Sequence, residues 1–398
     1  MNKFFARLPK RWLEHGPALV LAALLLSFGT SSFAQPKVPG APSLGADSYI
    51  LIDFHSNTTI AEHDADKRVE PASITKLMTS YVVFGELASG SLSLTDEVLV
   101  SEKAWRTQGS RMFIEVGKSV TIEDLLKGVI IQSGNDASVA LAEHVGGTEE
   151  VFAGMMNEAA SKLGLENTQY TNATGLPHPD QYTSARDVAT LAAALIDNFP
   201  EYYEWYSQRE FTFGGIRQHN RNRLLWRDPS VDGLKTGHTD SAGYCLATSA
   251  MRDGMRLVAV VMGTESEEAR AADSQALLNY GFRFFETYQL YESGDELSAE
   301  RIWKGESNHV SLGVDEDLFV TIPRGRYDAL EARMEVDSRL VAPLEPGDRV
   351  GQLVISLDDD DLIRQPLVAL EGVEPAGFFG RSMDAVRLWV GGLFGKDS

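Results

Sequence analysis

Cysteine is almost absent from this chain. Its 398 residues include one cysteine, Cys245, and a single thiol cannot form an intrachain disulfide. No disulfide framework therefore supports the fold. Cys245 lies in the apolar run of residues 244–249, which favours a buried structural thiol over a reactive one.

Positive charge is also scarce. The 36 lysines and arginines are outnumbered by 57 acidic residues, and the net charge is −21 at pH 7. Nucleic-acid binding needs an excess of basic residues, so this composition excludes it. The acidic run at residues 358–361 has no spaced ligand loop around it, which favours a solvated turn over a calcium site. We expect neither a metal nor another cofactor.

Long apolar runs are missing as well. The run at residues 18–28 is too short to cross a bilayer. It follows a basic start and precedes residues 32–34, Ser-Phe-Ala, which resemble a signal-peptidase site. This arrangement predicts a signal peptide over residues 1–34 and an exported mature chain that begins near Gln35, with an uncleaved anchor as the alternative. The basic residues of the start are Lys3, Arg7, Lys10 and Arg11.

What the chain does contain is a set of three short strings, and the first includes Ser73 and Lys76. Apolar residues recur at helical spacing from Ile74 to Val82, which predicts that Ser73 lies in the first turn of a buried helix. Positions i and i+3 share a helix face, so the lysine amine can reach the serine hydroxyl. A neutral amine beside a serine is a base beside its nucleophile, and the helix N-terminus favours a developing alkoxide. Alone, the string also fits a helix start with a solvated lysine.

The second string is Ser-Gly-Asn at residues 133–135. Before it, Thr121 resembles a capping residue that opens an apolar helix, and after it residues 136–144 have helical periodicity. The string is therefore predicted to be a tight link between two helices. Ser133 can pass a proton to a leaving group, and Asn135 can accept from Lys76 and donate to a substrate carbonyl. Alone, the string also fits a simple break between helices.

The third string is Lys-Thr-Gly-His at residues 235–238. Strand-like runs follow it at residues 244–249 and 257–262, which predicts antiparallel strands. Lys235 and Thr236 suit a ligand that ends in a carboxylate, and Gly237 lets a substrate backbone lie along the strand. The amides of His238 and Ser73 can form an oxyanion hole. Alone, the string also fits a surface hairpin.

Two arginines flank the third string in the sequence. Arg221 and Arg270 are both candidates for a bidentate clamp on a carboxylate. An ordinary surface position is the alternative, and it is the default for Arg270.

The chain changes character near residue 288. Before this point helical and strand patterns mix, and a helix is predicted from about residue 269 to residue 286. After it, short strand-like runs extend from residue 296 to about residue 370, separated by turn residues such as Pro323 and Pro343. We therefore predict a mixed domain over residues 35–288 and a small all-β domain over residues 289–375.

Residues 376–398 have a third pattern. At about 100° per residue, eight apolar side chains fall within an arc of about 160°, and Arg381, Asp384 and Arg387 lie outside it. Such a pattern is typical of an amphipathic helix that lies in a membrane interface. A terminal helix docked on the all-β domain is the alternative. The eight side chains are those of Phe378, Phe379, Met383, Val386, Trp389, Val390, Leu393 and Phe394.

Together, the three strings are a signature shared by serine β-lactamases and penicillin-binding proteins. Over nearly its whole length the chain resembles the low-molecular-mass penicillin-binding proteins that act as D-alanyl-D-alanine carboxypeptidases. The likeness also covers residues 218–222, 235–240 and 281–286, the leader, the β runs and the terminal segment. The proline-rich residues 177–179 depart from the family pattern. The resemblance implies an α+β fold: a β-lactamase/transpeptidase-like catalytic domain with an antiparallel sheet flanked by helices, then the all-β domain and the amphipathic helix.

The same resemblance implies the chemistry. A peptidoglycan pentapeptide ending in D-Ala-D-Ala acylates Ser73, with Lys76 as general base and Ser133 and Asn135 assisting, and water then frees the trimmed peptide. β-Lactams are expected to be covalent inhibitors, and the expected location is the periplasmic, outer face of the inner membrane. The residues expected to bind substrate are Lys235, Thr236, Gly237, His238, Arg221 and Arg270.

Two other functions stay open on the sequence alone. A secreted serine β-lactamase shares the nucleophile but needs a further carboxylate base, for which Glu166 is the candidate. Glu166 lies at a predicted helix end, which favours an exposed side chain. The second alternative is a protein without catalysis that binds wall peptides or β-lactams.

Overall fold

The computed structural model describes residues 2–5, 38–337 and 339–377. The chain divides into two compact units. The N-terminal unit comprises residues Gly40–Phe284, and the C-terminal unit comprises the described residues from Phe285 onward together with residues 2–5 and 38–39. Each unit has its own hydrophobic core.

The N-terminal unit mixes helices and strands. Its helices are α1 (Lys76–Ala88), α2 (Glu102–Arg106), α3 (Ile122–Lys127), α4 (Asn135–Gly146), α5 (Glu149–Lys162), α6 (Ala185–Asn198), α7 (Pro200–Tyr203), α8 (Leu224–Arg227) and α9 (Glu267–Phe284). Its strands are β2 (Ser48–Asp53), β3 (Thr59–His63), β4 (Glu97–Leu99), β5 (Ser119–Thr121), β6 (Glu210–Phe213), β7 (Ile216–His219), β8 (Val231–Thr239), β9 (Gly243–Arg252) and β10 (Met255–Thr264). Short 3₁₀ turns occur at Ala72–Thr75 and Glu204–Ser207, and a π-helical turn at Gly128–Gln132.

A five-stranded antiparallel sheet forms one layer of this unit. Its strand order is β3-β2-β10-β9-β8. Strand β10 is apolar throughout its middle because helices α6 and α9 both pack against it. Each residue from Leu257 to Met262 is fully buried, which requires protein on both faces of the sheet. Strand β8, which contains the third string, lies at the sheet's edge.

The central helix of the unit is α1, which contacts α4, α5 and α6. Its burial extends around most of its circumference and includes polar residues such as Lys76 and Thr79. The predicted capping of α3 is present, because the Thr121 hydroxyl accepts from the Asp124 amide at 3.2 Å. Helix α3 continues through the π-helical turn to the second string. This path brings the second string to the N-terminal end of α1, beside the first.

The C-terminal unit is all β in its described part, apart from a 3₁₀ turn at Tyr327–Ala329. Its main sheet has the order β1-β15-β17-β18-β13-β12-β16, and β11 pairs separately with β14. The strands are β1 (Asn2–Phe5), β11 (Phe285–Tyr291), β12 (Glu296–Trp303), β13 (His309–Gly313), β14 (Leu318–Pro323), β15 (Leu330–Val336), β16 (Leu340–Val341), β17 (Arg349–Leu357) and β18 (Asp360–Ala369). The predicted α+β class, with a flanked antiparallel sheet followed by an all-β part, is confirmed.

Two predicted features fall within this unit. The acidic run at residues 358–361 covers the two-residue turn between β17 and β18 and the first two residues of β18, where Asp358 accepts from Arg326 at 2.7 Å and Asp361 accepts from Ser356 at 2.7 Å. It is a turn stabilised by ion pairs and hydrogen bonds. The β1 strand, which pairs antiparallel with β15, is the described part of the predicted signal peptide.

The predicted amphipathic helix lies almost wholly outside the described residues. Only residues 376 and 377 of that segment are described. Within residues 2–5, 38–337 and 339–377, no helix is long and apolar enough to cross a membrane.

Candidate active site

Ser73 lies at the point where the chain enters α1. It belongs to the 3₁₀ turn Ala72–Thr75, which leads directly into the helix that starts at Lys76. The Nζ atom of Lys76 is 3.1 Å from the Oγ atom of Ser73. The predicted i, i+3 pairing of nucleophile and amine is therefore present in the geometry.

Lys76 is fully buried and makes two further hydrogen bonds. Its Nζ donates to Asn135 Oδ1 at 2.7 Å and to the Thr174 carbonyl at 2.5 Å. The pKa of Lys76 is lowered to about 7, chiefly by burial and also by the positive charge of Arg221, while the negative charge of Asp136 partly opposes these effects. An amine with this pKa is partly neutral at neutral pH, which a general base requires.

The second string lies where it was predicted, between two helices. Ser133 ends the π-helical turn in a left-handed conformation with φ 67°, and α4 begins at Asn135. Ser133 is 2% exposed, and within the described part of the chain its Oγ has no hydrogen-bond partner. Asn135 Nδ2 donates to the Gln108 carbonyl at 2.6 Å. The Asn135 side chain is thus held by two contacts, while the Ser133 hydroxyl remains available to a substrate.

Asp136 is a site residue that the sequence analysis missed. Its carboxylate is fully buried and accepts backbone amides from Met112, Phe113 and Ile114 at 3.0, 2.9 and 3.3 Å. These bonds fasten the chain on one side of the cleft to the start of α4. A charged residue directly before an apolar helical run was the available signal, because a buried charge needs such partners.

The loop at residues 172–175 was also missed. Asn172 Oδ1 accepts from the Thr174 amide at 3.1 Å, the Thr174 hydroxyl at 2.9 Å and the Gly175 amide at 2.8 Å. This Asx-type turn aims the Thr174 carbonyl at Lys76. Gly175 has φ 82°, and a Cβ there would lie 1.7 Å from the Ala72 carbonyl oxygen. Only glycine fits this contact between the loop and the turn that carries Ser73.

The third string lies on β8 beside the turn that contains Ser73. Lys235 and Thr236 are 3% and 5% exposed, and Lys235 Nζ donates to the Thr236 carbonyl at 3.0 Å. Burial holds the pKa of Lys235 well below its usual value, and the charges of Lys76, Arg221 and Arg270 lower it further. A Cβ on Gly237 would lie 3.2 Å from the Pro71 carbonyl oxygen, so the bare glycine also lets β8 pack against this turn.

The two candidate arginines differ in exposure. Arg270 is 4% exposed, so the default surface position is wrong for it, and its Nη1 donates to the Gly237 carbonyl at 3.1 Å. Arg221 is exposed at the rim. Burial by the surrounding protein lowers the pKa of both arginines, and the carboxylate of Glu267 opposes this. Both guanidinium groups line the cleft that contains Ser73.

This cleft has a volume of about 390 Å³. Eight of the predicted site residues line it: Ser73, Ser133, Asn135, Arg221, Thr236, Gly237, His238 and Arg270. Lys76 and Lys235 lie buried directly behind the lining. The lining residues that were not predicted are Gly109, Ser110, Thr174, Gly175, Leu176, Thr239, Tyr244 and Glu267. The Tyr244 ring packs against the His238 ring, with ring centroids 3.9 Å apart and ring planes tilted by 31°.

Several other predictions can be placed. Cys245 is fully buried, and burial raises the pKa of its thiol to about 11, as expected for a structural thiol. Glu166 is exposed and does not line the cleft. Residues 177–179 form an exposed loop next to the lining residue Leu176. No group of His, Cys, Asp and Glu side chains suited to a metal occurs among the described residues.

Comparison with known proteins identifies the family. A family model described as D-alanyl-D-alanine carboxypeptidase matches residues 35–266. The chain belongs to this family. A second model, described as the C-terminal domain of penicillin-binding protein 5, matches residues 285–375 of this carboxypeptidase.

Individual relatives agree with this assignment. The D-alanyl-D-alanine carboxypeptidase DacA of Escherichia coli (strain K12) is 43% identical over 404 residues, covering 99% of this chain and 100% of that protein. DacC of the same strain is 44% identical over 385 residues, covering 94% and 96%. The crystal structure of penicillin binding protein 5 from Haemophilus influenzae matches with a TM-score of 0.83 and 43% identity, covering 84% of this chain and 99% of that one.

The chain is a serine-type D-alanyl-D-alanine carboxypeptidase, as its resemblance to that family predicted. The family matches favour this activity over the alternatives of a secreted β-lactamase and of a binding protein without catalysis. The exposed position of Glu166 agrees with this, because the candidate base of the β-lactamase alternative is not in the cleft.

Proposed function

We propose that this carboxypeptidase removes the terminal D-alanine from peptidoglycan pentapeptides through an acyl-enzyme on Ser73. The observation that carries the proposal is the 3.1 Å contact between Ser73 Oγ and Lys76 Nζ, made by an amine whose pKa burial lowers to about 7. The neutral amine takes the Ser73 proton as Oγ attacks the carbonyl of the penultimate D-alanine. Asn135 keeps the amine in place through its 2.7 Å contact.

Ser133 is the proposed proton relay to the leaving group. The peptide bond breaks as the amine of the terminal D-alanine takes a proton from the Ser133 hydroxyl, which recovers one from Lys76. Ser133 lines the cleft, and its buried hydroxyl has no hydrogen-bond partner in the described part of the chain, which suits this role. Water then hydrolyses the Ser73 ester and releases the trimmed peptide.

The wall of the cleft formed by β8 and the two arginines is proposed to bind the carboxyl end of the substrate. Arg221 and Arg270 concentrate positive charge near β8, which favours a terminal carboxylate, and an anion bound there would favour the charged form of the nearby Lys235. The Thr236 hydroxyl can donate to the same group. The amides of Ser73 and His238 are the proposed oxyanion donors, since Gly237 allows β8 to approach the nucleophile turn.

β-Lactams are the proposed covalent inhibitors. The solved relative is named a penicillin-binding protein, and penicillins present a reactive amide and a carboxylate to the same wall of the cleft. Attack by Ser73 opens the lactam ring, and the ring nitrogen stays attached to the acyl group. Because no leaving group departs, the ester is expected to persist.

The experiment is to incubate the purified protein with a pentapeptide ending in D-Ala-D-Ala and measure free D-alanine. We expect many turnovers by the native protein and loss of at least about 10³-fold in Ser73→Ala. Ser89→Ala, an exposed substitution at the other end of α1, is the control and should retain activity. Release that stops at one D-alanine per protein, or rapid turnover of penicillin, would contradict the proposal.

We also propose that the protein is exported and bound to the outer face of the inner membrane through residues 376–398. The leader pattern of residues 1–34 and the apolar arc of the terminal segment support this. Trp389→Glu with Phe394→Glu should release the mature protein from lipid vesicles in a sedimentation assay. Leu388→Glu with Gly391→Glu adds the same charge outside the arc and should leave binding intact. The proposed membrane-binding face would be contradicted if both double variants lost vesicle binding equally, or if neither lost it.

A further inference from the structure

One acidic side chain, Glu267, lies among the cations of the cleft. It is in the first turn of α9 and lines the same cleft as Ser73. Its Oε2 atom is 2.7 Å from Nη2 of Arg223, and its Oε1 atom is 3.8 Å from Nη2 of Arg270. The carboxylate therefore lies between the exposed Arg223 and the buried Arg270 beside β8.

The charge of Glu267 acts on both arginines that are proposed to bind the substrate. Burial lowers the pKa of Arg221 and of Arg270, and Glu267 opposes that lowering in each. Arg270 uses Nη1 for the Gly237 carbonyl, which leaves Nη2 facing Glu267. An anion entering the cleft consequently meets cations that already have a carboxylate neighbour.

We propose that Glu267 is a specificity-determining residue, whose carboxylate shares the arginines of the cleft and competes with the terminal carboxylate of the substrate. This inference rests on the proposed function, in which Arg221 and Arg270 bind that carboxylate. Two carboxylates close to the same cations repel each other. Glu267 therefore weakens the binding of carboxylate ligands and does not affect neutral ones.

The product makes this effect useful. Free D-alanine has the same terminal carboxylate as the substrate, so an unopposed cluster of arginines would retain the product as well. A resident carboxylate lowers the affinity for both. Because the contact is made equally in the bound substrate and during the reaction, its loss should change KM more than kcat.

Glu268 provides a matched control. It is the next residue on α9, and it also contacts Arg223, at 3.5 Å. Its main partner is Arg227, whose Nη1 and Nη2 each donate at 2.7 Å. Glu268 does not line the cleft. Glu268→Gln thus removes the same charge from the same helix turn without removing a carboxylate from the binding wall.

The test compares Glu267→Gln and Glu268→Gln with the native protein. Four quantities are measured: KM and kcat for a peptide ending in D-Ala-D-Ala, the inhibition constant of the same peptide with a C-terminal amide, and the inhibition constant of D-alanine. Glu267→Gln should lower KM and the D-alanine constant by about three- to tenfold, a size expected for one nearby charge. The kcat, the amide constant and all values of Glu268→Gln should stay within about twofold. High salt should reduce the difference.

Three results would overturn the inference. A rise in KM in Glu267→Gln would mean that the carboxylate orients Arg270. An equal change for the carboxylate and amide peptides would mean an effect on the shape of the cleft. An equal change of these constants in Glu268→Gln would mean that any negative charge in this turn of α9 has the effect, wherever its side chain lies. Stoichiometric labelling by a fluorescent penicillin shows that each variant is folded.

Arg270→Gln tests the underlying proposed function separately. It should raise KM for the carboxylate peptide at least about tenfold, as expected when a buried charge partner is lost, and leave the amide constant little changed. If Arg270→Gln has no such effect, the carboxylate site is misassigned and the inference about Glu267 fails with it. If Arg270→Gln behaves as expected and Glu267→Gln does not, only the inference about Glu267 fails.

Discussion

The amine of Lys76 lies 3.1 Å from the hydroxyl of Ser73, in an interior where Lys76 has no exposed surface. Burial makes the charged form of this amine unfavourable, and the nearby Arg221 adds to that effect, so that the pKa falls to about 7. Burial thus disfavours the charged amine, and it also gives the amine a pKa suited to a general base.

The rate of acylation should rise with pH through about pH 7, since only the neutral form of Lys76 can take the Ser73 proton. Stopped-flow acylation by a fluorescent penicillin measures this directly. Arg221→Gln removes a charge that lowers the Lys76 pKa, so it should shift the rise to higher pH. Arg223→Gln is the control and should leave the midpoint in place. A midpoint unaffected by Arg221→Gln would contradict the electrostatic origin.

Ser133→Ala should slow acylation by about 10²- to 10³-fold, the usual contribution of a positioned proton donor. Its stability should hardly change, because Ser133 Oγ has no hydrogen-bond partner within the described chain. Ser138→Ala offers the contrast: its Oγ donates to the Gly134 carbonyl at 2.8 Å, and its loss should cost about 1 kcal/mol of unfolding free energy. Urea unfolding measures the stability of both variants. A large loss of stability in Ser133→Ala would contradict a role confined to proton relay.

Gly175→Ala should nearly abolish acylation and destabilise the protein by about 3 kcal/mol or more. Its φ of 82° is combined with a Cβ position 1.7 Å from the Ala72 carbonyl oxygen, so the turn that carries Ser73 must move. Gly164→Ala is the control. Gly164 has φ 70° with nothing within 4 Å of the added Cβ, so only about 1 kcal/mol of backbone strain is expected. The measurements are thermal unfolding and the acylation rate. Equal losses of stability and of acylation in Gly175→Ala and Gly164→Ala would contradict the prediction.

Asn172→Ala should slow acylation by about tenfold or more, because the Thr174 carbonyl loses the turn that aims it at Lys76. Loss of an acceptor for the ammonium form should also move the rise in rate to lower pH. Asn157→Ala is the control: Asn157 contacts the amide and carbonyl of Tyr170, both at 2.8 Å, away from the cleft. If both variants lose similar stability but only Asn172→Ala loses activity, the result supports the role of Asn172 in orienting the Thr174 carbonyl. Equal activity in both variants would refute that role.

Much of the site was predictable because its parts are local. Ser73 and Lys76 are three residues apart, so helical geometry alone brings them together. The break at residues 133–135 and the strand at residues 235–238 were likewise visible in the spacing of apolar and turn residues. The division into a mixed unit and an all-β unit followed from a change in that spacing.

Other parts of the site depend on contacts between distant segments. The Thr174 carbonyl is 98 residues from Lys76 in sequence, and Asp136 fixes a loop 22 to 24 residues before it. The residue pattern alone favoured a surface position for Arg270, yet α9 buries its side chain against the Gly237 carbonyl of β8. Nothing in the local pattern of residues 172–175 or of Glu267 marked them as site residues.

The amino-acid sequence by itself therefore determined that Ser73 and Lys76 lie close together, and it determined the order of the helices and strands around them, because those features depend on residues that share one helix or one turn. Only the tertiary structure decided how far Lys76 is removed from water, which carbonyl accepts from it, and which carboxylate faces Arg270. Burial, and with it the Lys76 pKa, depends on the packing of segments that have no local signal for one another.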